Sequence, residues 1–111
     1  MTFDCSLSSD VREDSVAFTF EVTNQDDAPV ELQFSDGQES DLVIEDADGT
    51  EVWRWSAGRM FTQMLQQKQL IPDGTLTYEF EWDAPDPGEY EATATLAAMN
   101  QDCEATTTFE V

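Results

Sequence analysis

From residue 75 to residue 83 the chain reads TLTYEFEWD. Leu76, Tyr78, Phe80 and Trp82 share one parity, and Thr77, Glu79 and Glu81 share the other. A period of two is what a half-buried strand requires, because successive side chains leave a pleated backbone on opposite faces and only one face meets water. The pattern recurs at Phe3, Cys5 and Leu7, at Val16, Phe18, Phe20 and Val22, and at Val30, Leu32 and Phe34. It returns at Tyr90, Ala92, Ala94 and Leu96, and closes at Ala105, Thr107, Phe109 and Val111.

Between these runs lie the turn signals NQDDAP, SDG, DADG, IPDG and PDPG. Short alternating strands with such punctuation predict an all-β fold, an immunoglobulin-like antiparallel β-sandwich of seven to nine strands. A chain of 111 residues is the size of one domain, so residues 1–111 read as a single sandwich. The PGEY stretch offers Tyr90 as a tyrosine-corner candidate.

The stretch EVWRWSAGRMFTQ, residues 51 to 63, can be placed by register. If Asp48 and Gly49 form a two-residue hairpin turn, Ala47 faces Thr50, Ile44 faces Trp53 and Leu42 faces Trp55. The four apolar side chains then share the inner face. Val43, Glu45, Val52 and Arg54 share the solvated one, with Arg54 a surface partner for an acid. Phe18, Phe20, Phe34, Ile44, Trp53, Trp55, Phe80 and Trp82 are expected to be largely buried. After Ser56 the alternation stops, and Met60/Met64 and Phe61/Leu65 stand at i,i+4 spacing, which predicts a short helix or a structured crossover. Such a segment either caps one end of the sandwich or presents side chains to a partner.

Charge bounds the surroundings. The chain has 25 acids against 4 basic residues, a formal net charge of -21, and Lys68 is the only lysine. The acids run along the whole sequence, so the charge belongs to a surface rather than a tail. The Debye length falls from about 10 Å in 0.1 M salt to about 3 Å at 1 M, so molar salt removes most of the self-repulsion and an extreme halophile is the expected source. There is no basic stripe for a phosphate backbone or an anionic membrane, so nucleic acid and membrane are not expected partners. No stretch reaches the roughly 18 apolar residues of a membrane span, and TFDCSLSSD has neither a basic nor an apolar leader region. The expected location is the cytoplasm.

With no histidine, Ser-His and Cys-His nucleophile pairs and His-based zinc sites are excluded, and no cofactor or enzymatic role is expected. DADG resembles part of a calcium loop, but aligning Gly49 with the loop glycine places Ile44 and Trp55 at the terminal ligand positions, where neither can coordinate. Cys5 and Cys103 have inward parity on the first and last strands, which suits two buried thiols or a bridge between the ends of the chain. A cytoplasmic location favours the thiols.

The middle of the chain carries VELQFSDGQESDLVIEDADGTEVWRWSAGRMFTQ, then LIPDG, LTYEFEWDA and PGEYEATATL. Over residues 16 to 97 this resembles the BsuPI-type intracellular proteinase inhibitors. Its specific part is the ordered set F-S-x-G-Q, D-L-V-I, D-G-x-E-V-W-R-W-S and M-F-T-Q. The resemblance implies an immunoglobulin-like sandwich that blocks a cytoplasmic serine protease of the subtilisin-like class. The alternative is an interaction or structural module of the same fold. The expected contact surface is Gly58 to Leu70 with the neighbouring Phe34–Gln38 turn. Its candidate residues are Gln38, Arg59, Met60, Phe61, Gln63, Met64 and Lys68. Oligomeric state is not legible in the chain.

Overall fold

The structure, a computed structural model, describes residues 3–111. Among the described residues nine strands follow in order: β1 (Phe3–Val11), β2 (Ser15–Asn24), β3 (Val30–Phe34), β4 (Ser40–Asp46), β5 (Glu51–Arg54), β6 (Gln66–Leu70), β7 (Thr75–Asp83), β8 (Glu89–Leu96) and β9 (Glu104–Glu110). They form a three-stranded sheet β1-β2-β7, a four-stranded sheet β5-β4-β8-β9 and a two-stranded ribbon β3-β6, with antiparallel pairing throughout. This is the all-β immunoglobulin-like sandwich that the alternation predicts.

The two larger sheets close over Val16, Phe18, Phe20 and Val22 of β2, Leu42 and Ile44 of β4, and Ala92, Ala94 and Leu96 of β8. Aromatic rings cross between the sheets: Phe18 of β2 meets Phe109 of β9 edge-on at 5.3 Å, and Trp82 of β7 meets Tyr90 of β8 at 4.9 Å. Such edge-to-face pairs bring the positive rim of one ring to the negative face of another, adding about 0.5–1.5 kcal/mol beyond burial. The Tyr90 hydroxyl donates to the Asp86 carbonyl at 2.7 Å, which makes the tyrosine corner.

Hydrogen bonds fasten the ribbon to the sandwich at both of its ends. The Met99 amide donates to the Gln33 carbonyl, and Asn100 both accepts from the Gln33 amide and donates to the Glu31 carbonyl. At the other end Asn24, fully buried, donates from its amide nitrogen to the carbonyls of Ala28 and Leu70 and accepts from the Asp26 amide. A buried amide is tolerated because its donors and acceptor are satisfied.

Four expectations change. First, of the two alternatives after Ser56 the helix drops out and the crossover holds: no described residue is helical, and residues 59–65 form an irregular strap between β5 and β6. A helix there would need an apolar face against the sandwich, yet Met60, Met64 and Leu65 all stand in solvent. Second, the β4–β5 connection is a three-residue loop closed by Asp46 N–H to the Thr50 carbonyl, with Gly49 left-handed at φ +83°, rather than a two-residue turn. The register near the turn is therefore one residue off. A bulge between Ile44 and Glu45, where Glu45 faces Glu51 and Ile44 faces Trp53, restores the expected Ile44–Trp53 pairing. Third, Trp53 and Trp55 are half-buried, packed on the rim of the core, whereas Phe18, Phe20, Phe34, Ile44, Phe80 and Trp82 are buried. Fourth, Cys5 and Cys103 are joined as a disulfide with their Cα atoms 6.1 Å apart, not held as free thiols. The bond ties β1 of one sheet to the approach to β9 of the other.

Candidate functional site

The strap begins where β5 runs out. The Trp55 amide still donates to the Leu42 carbonyl, so Trp55 keeps strand geometry and turns its ring inward. There it meets Phe80 edge-on at 5.2 Å. Asp41 fixes the next residue: its carboxylate accepts from the Ser56 amide at 3.1 Å and the Ser56 hydroxyl at 2.7 Å, and also pairs with Arg54. Arg54 is thus the surface ion-pair partner its parity predicts, bound to Glu51 as well. A turn closed by Arg59 N–H to the Ser56 carbonyl then reverses the chain, with Gly58 at φ +76°, a conformation that a Cβ would strain.

Beyond the turn the strap is pinned at Arg59, Phe61 and Thr62. Arg59 donates from Nε to the Trp55 carbonyl at 2.7 Å and places its guanidinium 4.4 Å from the centre of the Trp55 ring. Phe61 lies against the same indole at 5.8 Å. The Thr62 carbonyl accepts from the Gly37 amide at 2.7 Å. Gly37 is constrained here by proximity rather than by φ, since a Cβ would sit 3.1 Å from the Thr62 nitrogen. This contact brings the Phe34–Gln38 turn and the strap together.

The predicted residues divide accordingly. Met60 is 97% exposed, and Gln63, Met64 and Leu65 are also exposed. Phe61 is half-buried, with Trp55 as its support. Gln38 is half-buried and donates to the Ser40 carbonyl, which commits it to its own turn. Lys68 lies on β6, with Nζ 2.8 Å from Glu39 Oε1. The same carboxylate oxygen accepts from the Tyr78 hydroxyl at 2.9 Å. Burial, and then the neighbouring Glu39 charge, push the Tyr78 phenol well above its ordinary range.

Two features set this surface apart. Asp41 and Gly37, which position the strap, look like ordinary turn and strand residues. The other feature is charge: Val52 to Pro72 contains none of the 25 acids and three of the four cations, Arg54, Arg59 and Lys68. On a chain of net charge -21, that window is the one long stretch where an anionic partner meets no opposing acid of the segment itself. Arg12, Arg54 and Lys68 each pair with a carboxylate, while Arg59 spends its charge on an aromatic face.

Among the described residues, surface depressions of about 360 and 590 Å³ are lined by residues outside the strap. The larger is rimmed by Asp46, Glu89, Glu91 and Glu110. Among the described residues no cluster of His, Cys, Asp or Glu is arranged to hold a metal ion, and no helix is long and apolar enough to cross a membrane. The strap instead exposes apolar side chains, Met60, Met64 and Leu65, to solvent.

A family model described as BsuPI, intracellular proteinase inhibitor, matches residues 3–101. No curated protein matches the sequence. Among solved structures, the chain is similar to part of a penta-heme cytochrome c552 from Thermochromatium tepidum, at 10% identity and TM-score 0.62 over 96% of this chain and 39% of that one. It is also similar to part of a β-glucosidase from Kluyveromyces marxianus, at 15% identity and TM-score 0.55 over 99% of this chain and 14% of that one. β-Glucosidase 3B from Thermotoga neapolitana gives 15% identity and TM-score 0.53 over 99% and 16%. The chain therefore spans well under half the length of these structures. At such identities the likeness is one of fold alone.

Proposed function

The chain belongs to the BsuPI family of intracellular proteinase inhibitors, and from that premise we propose that it binds and blocks a subtilisin-like serine protease of the cytoplasm. The observation that carries the proposal is the strap: an acid-free segment that exposes Met60 and Met64 while Ser56, Arg59 and Phe61 are held against the sandwich. A segment ordered before binding loses less entropy on docking, so more of its contact energy appears as affinity. The protein acts as a binding partner and not as a catalyst, since inhibition needs an occluding surface and no activated nucleophile.

The acid load suits a cell interior of molar salt, where a target of similar acidity would meet the one stretch of this chain that is free of carboxylates. Arg59, Met60, Phe61, Gln63 and Met64 form the contact, with Gln38 and Lys68 at its margin. Their roles differ: Arg59 and Phe61 support, whereas Met60, Gln63 and Met64 face outward.

The test is titration of the purified protein into a subtilisin-like intracellular protease in molar salt, following hydrolysis of a small peptide substrate. Stoichiometric loss of activity, competitive with the peptide, supports the reading. An unchanged rate at micromolar protein overturns it and leaves an interaction module of the same fold.

A further inference from the structure

We propose that Met60 is the specificity-determining residue of the inhibitor, the side chain that enters the protease's primary specificity pocket. The inference rests on the inhibitor reading above and deepens it. Met60 is 97% exposed, the most solvent-exposed large apolar side chain among the described residues. Water contact over almost all of a thioether side chain is unfavourable by roughly 1.5–3 kcal/mol relative to burial, so a folded chain gains nothing by placing it there.

Its neighbours explain how it stays there. On one side Arg59 is held by the Trp55 carbonyl and ring. On the other, Phe61 packs on the same ring and Thr62 is hydrogen-bonded to Gly37. One free side chain between two anchored residues is a rigid pedestal, and Trp55, itself braced by Phe80, is its foundation. Residues 59–65 belong to no strand, so the strap is not already paired along its length within a sheet.

The geometry selects the kind of pocket. An unbranched, flexible and polarisable side chain fills a deep apolar pocket and adapts to its shape. A pocket with a carboxylate at its floor would instead strand that charge against the thioether. The partner is thus a serine protease whose primary pocket takes large unbranched or aromatic apolar side chains. Arg59 is turned back onto Trp55 and is not the inserted residue.

The experiment compares the wild-type chain with Met60→Ala, Met60→Lys and Met64→Ala against two purified enzymes, a subtilisin-like protease and trypsin, in molar salt. Melting is expected to be unchanged in all variants, since neither methionine is buried. Truncation of a central anchor typically costs at least about 2 kcal/mol, so Met60→Ala is expected to raise the inhibition constant for the subtilisin-like enzyme on the order of 30-fold. Met64→Ala is expected to raise it less than about 5-fold. Met60→Lys is expected to lose the subtilisin-like enzyme and gain trypsin, whose pocket floor is anionic. If the wild-type chain inhibits and the Met60 variants inhibit equally well with no switch toward trypsin, the assignment of Met60 is wrong and the inhibitor reading stands. If the wild-type chain inhibits neither enzyme, the inhibitor reading fails and this inference with it.

Discussion

Arg59 and Trp55 hold each other twice, once through the Nε–H donated to the indole residue's carbonyl at 2.7 Å and once through the guanidinium lying 4.4 Å from the ring centre. The pair is local, four residues apart, and sets the conformation of the strap more than the stability of the fold. A cation–π contact at an exposed site is worth about 0.5–1 kcal/mol. Arg59→Ala is therefore expected to leave the melting temperature within a few degrees of wild type while loosening residues 57–65. Limited proteolysis followed by mass spectrometry reads this directly, with cleavage in the strap accelerating several-fold. Equal cleavage rates would show that Phe61 and the Gly37–Thr62 hydrogen bond suffice. Arg59→Lys is expected to resemble Ala, because an ammonium cannot both donate from Nε and lie flat on the indole.

How much of this was legible in the chain depends on what each segment buries. Strands with one wet face announce themselves, and the buried sets of β2, β4, β7 and β8 follow from parity alone. β6 does not, because QQKQL buries only Leu70 and pairs with β3 through its backbone, leaving no alternation to read. The helical alternative for the strap fails for a related reason. Met60/Met64 and Phe61/Leu65 have helical spacing, but spacing predicts a helix only where a face is available to cover it. Here the Trp55 ring receives both Phe61 and the Arg59 guanidinium, and Met60, Met64 and Leu65 stay uncovered. The Asp48–Gly49 turn was missed by one residue, and the bulge absorbed the error, so the Ile44–Trp53 register survived a wrong turn type.

The Cys5–Cys103 bond closes a loop of 98 residues. A loop of that length removes a large share of unfolded-state entropy, roughly 4–5 kcal/mol in the chain-entropy view, and native bridges deliver about 2–4 kcal/mol in practice. Cys5→Ser/Cys103→Ser is expected to lower stability by about that amount, with Phe18, Phe20 and the core around them intact. Denaturant melts of the oxidised protein, the reduced protein and the double variant are the measurement. Reduced protein and double variant are expected to coincide, well below the oxidised form. The cytoplasm keeps most thiols reduced, so alkylation in unbroken cells with mass readout will show which form operates there. Coincident melts of all three forms would mean that the sheets need no covalent tie.

Glu39 accepts from Tyr78 and pairs with Lys68 through one carboxylate oxygen, which joins β7 and β6 beside the Phe34–Gln38 turn. Burial, reinforced by Glu39, raises the Tyr78 phenol above its ordinary value near 10. A raised folded-state value means the native protein holds that proton more tightly than the unfolded chain. Its stabilising contribution is thus fully present below about pH 10 and declines as pH rises above it. Absorbance titration is expected to show Tyr78 ionising only at high pH, together with unfolding. In Tyr78→Phe the alkaline loss of stability should be smaller. Loss of stability at the same alkaline pH in both proteins would place the cause elsewhere.

Like charges are stacked across the four-stranded sheet. Glu45 of β4 faces Glu51 of β5 on one side and Glu91 of β8 on the other, and Glu89 of β8 faces Glu110 of β9. Directly opposed like charges are unfavourable by a few tenths to about 1 kcal/mol per pair when poorly screened. In molar salt the Debye length, about 3 Å, is shorter than the spacing between opposed side chains, and the penalty nearly vanishes. The wild-type protein is therefore expected to lose stability as salt falls from molar to tens of millimolar. Glu45→Gln, which relieves two opposed pairs at once, is expected to recover about 0.5–2 kcal/mol at low salt and almost nothing at high salt. Thermal melts of both proteins across that range decide the matter. A Glu45→Gln gain independent of salt would point to local packing at the bulge, and wild-type melts insensitive to salt would remove the argument for a molar-salt environment.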